Sequence, residues 1–111
     1  MAQTREVPYG SLDILVLKTL ASLGPTHGWG IARRIEQVSE NALQLNQGTL
    51  YPALVRLEQD GLIKGVWGTS ENGRRARFYE LTRRGHKGLR EQIDEWVRMT
   101  SLIDGVLGVR R

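Results

Sequence analysis

The 111-residue sequence contains no cysteine, and this absence removes several classes of protein at once. A chain without thiols cannot form a disulfide scaffold, a thiolate zinc site or a cysteine nucleophile. Long apolar runs are also missing, because no stretch approaches the roughly 18 consecutive apolar residues that suggest a membrane-spanning helix. The first ten residues, MAQTREVPYG, lack the apolar core of a signal peptide, so the expected location is the cytoplasm.

Recognisable catalytic motifs are absent as well. The sequence has no nucleophile elbow, no phosphate-binding loop and no paired acids at catalytic spacing. A nucleophile with a positioned base cannot be assembled from the remaining residues. The two histidines, His27 and His86, have no carboxylate or second histidine at ligand spacing, so no metal site is expected. We therefore expect a protein that is not an enzyme and that has no cofactor.

Positive charge is concentrated in one part of the chain. The whole sequence carries a formal net charge of +4, but residues 64–90 alone contain eight basic and two acidic residues, a net charge of +6. A basic stripe of this kind is typical of a surface that binds a polyanion such as nucleic acid. A merely solvated charged face gives the same composition, so charge alone leaves both interpretations open.

The segment QGTLYPALVRLEQDG, residues 47–61, has the pattern of a short amphipathic helix. Pro52 is best tolerated near a helix start, and Gly61 is a natural left-handed stop. The opposite face offers hydrogen-bonding groups that suit phosphates and base edges. Three leucines at i, i+4 and i+7 predict one apolar stripe that faces a core: Leu50, Leu54 and Leu57.

Two further helices are predicted before this segment. The first, SLDILVLKTLASL, has Ser11 as its cap and ends at the Gly24-Pro25 pair. The second covers residues 28–38, where apolar residues again recur at i, i+4 and i+7 and Arg33 points away from them. A short polar link joins it to the third helix, which is the arrangement of a helix-turn-helix.

The chain then changes from a helical to an alternating period. Residues 62–67 and 76–81 are rich in β-branched, aromatic and apolar side chains, which predicts two strands. Asn72-Gly73 between them is a strong hairpin dipeptide, because both positions accept positive φ. Three helices and a two-stranded hairpin form a winged helix. Its wing carries cationic side chains that can reach phosphates or a narrow minor groove: Arg74, Arg75 and Arg77.

A last helix is predicted from Arg83 to about Asp104, with Thr82 as its cap. A stripe this long at the end of a small chain has little left in its own subunit to cover it, which predicts a dimer seam. Packing against the first helix of the same chain is the alternative, and both arrangements can coexist. The seam residues keep near-heptad spacing: Leu89, Ile93, Trp96, Val97, Thr100 and Ile103.

Three segments carry a family likeness: GTLYPALVRLEQDGL (residues 48–62), HGWGIARRI (27–35) and RARFYELTRRG (75–85). With their spacing they resemble the PadR family of bacterial transcriptional regulators, over the chain from Gly10 to about Gly88. Trp29 stands where the family more often has tyrosine, which changes little physically. The sequence is similar to the short subgroup, which has a single C-terminal dimerisation helix and lacks the larger C-terminal domain of other members.

The residue patterns and this resemblance predict a mainly α (α+β) fold in two parts. Residues 8–82 form a winged helix-turn-helix with a two-stranded β wing, and residues 83–108 form a C-terminal dimerisation helix. The resemblance implies a homodimeric, sequence-specific DNA-binding transcriptional regulator, usually a repressor. A paired molecule of this kind would bind double-stranded DNA at a pseudo-palindromic operator. The alternative is a winged-helix protein-interaction module that does not bind DNA.

The resemblance also implies site residues, because in this family the third helix enters the major groove. The expected DNA-binding residues lie on that helix and on the wing: Gln47, Thr49, Tyr51, Pro52, Arg56, Arg74, Arg75 and Arg77. Some short members bind flat aromatic drugs between tryptophans at the dimer interface. Trp96 is therefore a candidate effector-binding residue, and a small aromatic molecule is the candidate effector that relieves repression.

Overall fold

Helix-turn-helix and hairpin are both present in the computed structural model, which describes residues 5–6 and 9–110. The predicted domain start at residue 8 falls outside this part of the chain. The helices are α1 (Tyr9–Leu23), α2 (Gly28–Val38), α3 (Gln47–Gln59) and α4 (Arg83–Leu107). The strands are β1 (Arg5–Glu6), β2 (Thr26–His27), β3 (Leu43–Gln44), β4 (Ile63–Thr69) and β5 (Arg75–Leu81). The fold class is α+β, as predicted.

The core lies where the apolar faces of the helices meet the sheet. The leucine stripe of α3 is completely buried, at 0–1 % exposure, as its spacing predicts. Apolar residues of α1, α2, β4 and β5 pack around it, and Leu89 of α4 joins them at 6 % exposure. Side chains opposite these buried positions are consequently left for the outer surface.

Local hydrogen bonds determine where α3 begins and ends. Asn46 caps the helix, because its side-chain oxygen Oδ1 accepts a hydrogen bond from the N–H of Gly48 at 2.7 Å. At the other end Gly61 takes a positive φ of 75°, and the N–H of Leu62 donates to the carbonyl of Leu57 at 3.0 Å. This is a Schellman ending, as the glycine predicted. The predicted cap of α1 is wrong, since Ser11 lies inside a helix that begins at Tyr9.

The predicted hairpin is confirmed, and it belongs to a larger sheet. The strands β4 and β5 are antiparallel from Ile63↔Leu81 to Thr69↔Arg75. The short strand β2 adds to the outer edge of β5, which gives the order β2-β5-β4. A second, parallel pair joins β1 to β3. Strands of two residues have no detectable period, so neither β2 nor the β1·β3 pair was predicted.

The turn of the hairpin differs from the prediction. Only Gly73 takes a positive φ, 73°, whereas Asn72 does not. The N–H of Gly73 donates to the carbonyl of Ser70 at 2.9 Å, and the N–H of Ser70 donates to the carbonyl of Arg74 at 2.7 Å. These bonds define a type I turn followed by a left-handed glycine. The loop has three residues instead of two, so a single left-handed position suffices.

Helix α4 begins against the turn between α3 and β4. Thr82 caps it as predicted, because Oγ1 accepts from the N–H of Gly85 at 3.0 Å, and the same hydroxyl donates to the carbonyl of Gly61 at 2.6 Å. A Cβ at position 85 would lie 2.0 Å from the main-chain oxygen of Leu62, so only glycine permits this approach. The first turns of α4 therefore sit on the turn that follows the end of α3.

Candidate nucleic-acid interface

A concave surface, called here the groove, lies between α2, the start of α3 and the wing. It encloses about 790 Å³. Five arginines and one glutamate line it, together with aromatic and small polar groups. An open concavity with this excess of cations suits a polyanion. Its charged residues are Arg33, Arg34, Arg74, Arg75, Arg77 and Glu71.

Helix α3 contributes the start of its exposed face to this region. Because the leucine stripe is buried, Tyr51 is turned outward with 57 % exposure. Gln47 and Tyr51 line the groove, and Thr49 and Pro52 lie exposed beside them outside the lining. The first two turns of α3 thus present an amide, a hydroxyl and a phenol to the outside. Such groups can bond to phosphates and base edges.

The wing contributes cations that are supported by its own aromatic residue. Trp67 on β4 is opposite Arg77 on β5, and the guanidinium of Arg75 lies 4.8 Å from the centre of the Trp67 ring. A cation over an aromatic face is held in place without losing its charge. Arg74 follows the turn and also lines the groove. All three arginines predicted for the wing are therefore on this concave side.

Helix α2 supplies the third wall, which the sequence reasoning missed. The guanidinium of Arg33 lies 4.7 Å from the centre of the Trp29 ring, and that ring stacks on His27 with centroids 6.1 Å apart. His27 also caps α2 by accepting from the N–H of Gly30 at 3.0 Å, and its ring contacts Phe78 of β5. The sequence holds one sign of this wall, because Arg33 lies opposite the apolar stripe of its helix.

Two of the predicted DNA-binding arginines are engaged by carboxylates. Nη2 of Arg56 lies 2.5 Å from Oδ1 of Asp13 on α1, and Arg56 is not among the residues that line the groove. Nη2 of Arg77, which lines the groove, lies 2.5 Å from Oε2 of Glu58 on α3. This hydrogen bond raises the pKa of Arg77 above its ordinary value. A helical wheel cannot show such pairs, because their members are far apart in sequence.

The predicted seam on α4 divides into two parts. Leu89 lies in the core of its own chain, where α4 packs against α1, so the alternative packing applies to this end of the helix. Ile93, Trp96, Val97 and Ile103 are exposed, Trp96 at 53 %. The hydroxyl of Thr100 donates a hydrogen bond to the carbonyl of Trp96. Its donor is therefore satisfied within the helix, and Thr100 is compatible with the apolar stripe. The second half of α4 therefore carries an apolar face that the described residues of the chain leave exposed.

Other kinds of site find little support in the described part of the chain. No group of three or more histidine and acidic side chains that could hold a metal ion occurs among residues 5–6 and 9–110. No helix in the same residues is long and apolar enough to cross a membrane. Burial raises the pKa of the Tyr79 hydroxyl on β5 above its ordinary value, so this phenol stays protonated and neutral.

Comparison with known proteins agrees with this geometry. The sequence profile of the transcriptional regulator PadR-like family matches residues 16–91. A PadR family transcription regulator from Clostridium difficile R20291 is 33% identical, with a TM-score of 0.75 over 88% of this chain and 99% of its own. A protein from Streptococcus mutans UA159 is 26% identical, with a TM-score of 0.80 over 98% of this chain and 99% of its own.

A third solved structure, a transcriptional regulator from Clostridium thermocellum, is 29% identical and has a TM-score of 0.78 over 86% of this chain and 89% of its own. The profile match spans α2, α3, the wing and the first turns of α4, which together build the groove. The chain belongs to the transcriptional regulator PadR-like family and is a winged-helix transcriptional regulator.

Proposed function

We propose that the protein is a homodimeric, sequence-specific DNA-binding repressor of the cytoplasm. The observation that carries this proposal is the groove, where arginines from α2 and from the wing converge on the exposed start of α3. A duplex that receives α3 in its major groove would bring its phosphates against these arginines. A protein-interaction module would need no such cationic excess, so DNA is the favoured partner.

Within this proposal the contacts divide by chemistry. Gln47, Thr49, Tyr51 and Pro52 are exposed at the start of α3 and would touch bases or the adjacent sugar-phosphate backbone. Arg74 and Arg75 would neutralise phosphates or enter the minor groove. These six residues are the direct contacts that the geometry supports best. Arg56 and Arg77, which the sequence also predicts as contacts, are each engaged by a carboxylate and are left out of this set.

Arg33 and Arg34 extend the proposed interface onto α2. Both line the groove beside Tyr51, and the Trp29 ring holds the guanidinium of Arg33 in place. Their position opposite the wing suggests that one DNA strand is contacted from both sides. The phosphates of that strand would then be neutralised by α2 on one side and by the wing on the other.

The uncovered face of α4 supports the dimer. Its exposed residues form a continuous apolar stripe along the second half of the helix, and a second copy of the same stripe would bury it. Pairing through a two-fold axis would present two copies of α3, and half-sites one helical turn apart require a spacing of about 34–36 Å. The operator would accordingly be a pseudo-palindrome.

Relief of repression is proposed to act through the same stripe. Trp96 is exposed there, so a small aromatic molecule could stack on it between two subunits. Such an effector would change DNA binding only if it favoured one relative placement of the subunits over another. Operator affinity measured by fluorescence anisotropy with and without candidate aromatic molecules tests this step. Equal affinity in their presence, with a quenching of tryptophan fluorescence that a Trp96→Phe variant lacks, would refute it.

The primary experiment is selection of bound fragments from the source genome at moderate salt. It should return pseudo-palindromes, and the spacing of their halves reports the geometry of the dimer. Affinity for one selected duplex should then fall steeply with salt, with a log-log slope of about −0.9 for each phosphate neutralised. No enrichment of any sequence, or an affinity that does not change with salt, would contradict the proposal.

A further inference from the structure

Arg77 points along the wing instead of outward from it. It shares one face of the hairpin with Gly65, Trp67 and Tyr79, because these residues pair across the strands in the same register. Its guanidinium extends over Gly65, since a Cβ at that position would lie 2.2 Å from Nε and 2.8 Å from Cζ of Arg77. The absence of a side chain at position 65 therefore creates the space that the guanidinium occupies.

Glu58 of α3 receives the guanidinium at the far side of this space. The same carboxylate oxygen, Oε2, accepts from Nη2 of Arg77 at 2.5 Å and from the N–H of Gly65 at 3.3 Å. One side chain of α3 thus binds the main chain of β4 and the side chain of β5 together. Glu58 follows Tyr51 by seven residues, so the two lie on the same side of α3.

A carboxylate at this place needs an explanation, because negative charge opposes the approach of DNA. Removal of a negative charge from a surface that binds phosphates ordinarily strengthens binding. Glu58 therefore lowers the positive potential that the groove otherwise provides. A contribution of the Glu58–Arg77 ion pair to the folded structure would offset this electrostatic cost.

We propose that Glu58, Gly65 and Arg77 form a latch that fixes the wing relative to α3, and that Arg77 is a positioning residue for DNA recognition and not a phosphate contact. The latch rests on the proposed function, because it has a role in recognition only if α3 and the wing bind one duplex. A fixed wing lets its arginines meet phosphates while α3 is seated, so less conformational freedom is lost on binding.

The latch and a direct phosphate contact predict opposite results for Glu58→Gln. The probe is a duplex obtained by genomic selection with the wild-type protein, and affinity is measured by fluorescence anisotropy over a range of salt concentrations. If the latch positions the wing, Glu58→Gln should weaken binding by roughly threefold to thirtyfold, although a negative charge has been removed. If Arg77 contacts a phosphate directly, Glu58→Gln should strengthen binding, because the guanidinium is released.

Arg77→Gln separates the two roles through the salt dependence. A positioning residue should lower affinity while the log-log slope stays unchanged, whereas removal of a direct phosphate interaction lowers the slope by about 0.9 per phosphate. The double variant Glu58→Gln/Arg77→Gln should bind about as weakly as either single variant, since both changes open the same latch. Additive losses together with a reduced slope would overturn the proposal.

Glu71→Gln is the matched control, because Glu71 lines the groove and the change removes the same charge as Glu58→Gln. It should strengthen binding slightly. Gly65→Ala keeps every charge but fills the space under the guanidinium, and it should reproduce the loss seen with Glu58→Gln. If Gly65→Ala binds like the wild type, the latch is refuted.

Two measurements keep this test independent of folding and of the proposed function. Circular dichroism at the assay temperature confirms that each variant is folded, and amide relaxation by NMR should show greater mobility at residues 70–74 in Glu58→Gln. Unchanged relaxation there would refute the latch even if affinity falls. Failure of the wild-type protein to bind any selected duplex would refute the proposed function instead.

Discussion

Replacement of Gly85 by alanine should destabilise the protein, although alanine is the better helix former. A Cβ at this position would lie 2.0 Å from the main-chain oxygen of Leu62 and 3.2 Å from Cδ2 of Leu81. A main-chain oxygen cannot rotate away, so α4 must move outward, and overpacking of this kind costs about 1–3 kcal/mol. The higher helix propensity of alanine offsets at most about 1 kcal/mol of this cost. We expect a net loss of up to about 2 kcal/mol in the free energy of unfolding.

Two other glycines of α4 provide matched controls. A Cβ at position 105 meets no atom of the described residues within 4 Å, so Gly105→Ala should raise stability by up to about 1 kcal/mol. A Cβ at position 88 would lie 3.3 Å from Cδ2 of Leu62, a side-chain atom that can move slightly. Gly88→Ala should therefore fall between the other two variants.

The assay is urea denaturation followed by circular dichroism at one fixed protein concentration, because the stability of a dimer depends on concentration. The difference between Gly85→Ala and Gly105→Ala isolates the contact with Leu62, since helix preference is common to both. If the two variants are equally stable, the first turn of α4 can shift without cost. That result would refute the inference that α4 sits rigidly on the end of α3.

Three further predictions concern the dimer, the groove and the response to pH. Val97→Asp should raise the dissociation constant of the dimer by roughly a hundredfold, since burial of two valines contributes about 3 kcal/mol, and sedimentation velocity measures this. Arg33→Gln should weaken DNA binding and lower the log-log salt slope by about 0.9 for each phosphate that is no longer neutralised, as anisotropy can show. Above about pH 10 the folded protein should lose stability, because Tyr79 keeps its proton in the folded state and releases it in the unfolded state. Urea titrations should show that Tyr79→Phe removes this loss.

Each of these has a comparison that can contradict it. Glu91→Gln changes an exposed position of α4 outside the predicted stripe and should leave the dimer intact. If Val97→Asp sediments like Glu91→Gln, the stripe is not the seam. An unchanged salt slope in Arg33→Gln would remove α2 from the interface. Equal alkaline stability of the wild type and Tyr79→Phe would show that another group controls the pH response.

The elements with local signals were predicted well. Residues 28–38 and the limits of α3 follow from apolar spacing, Pro52 and the left-handed Gly61, all of which act within a few residues. Thr82 was recognised as a cap for the same reason. Tertiary pairing was not predictable in this way. The strand β2 exists only because it reaches Phe78 and Tyr79, which are about fifty positions later in the sequence.

The same limit applies to the candidate site. A helical wheel correctly places Tyr51 outside and the leucine stripe inside, because only one helix is involved. It cannot show that Asp13 engages Arg56, or that Glu58 engages Arg77 across an empty position at Gly65. Those contacts depend on how separate elements approach one another. The wall formed by α2 was overlooked for the same reason.

Because Gly85 lies directly against the main chain of Leu62, a rotation of α4 is transmitted to the turn at the end of α3. Trp96 lies eleven residues beyond Gly85, a distance of about 16 Å at 1.5 Å per helical residue. A tilt of about 10° around Trp96 would therefore carry the end of α3 sideways by about 3 Å. Successive phosphates on one DNA strand are spaced about 3.4 Å along the duplex axis. In the proposed dimer, a rotation too small to separate the two subunits would then be enough to shift α3 of each subunit along bound DNA by nearly one nucleotide.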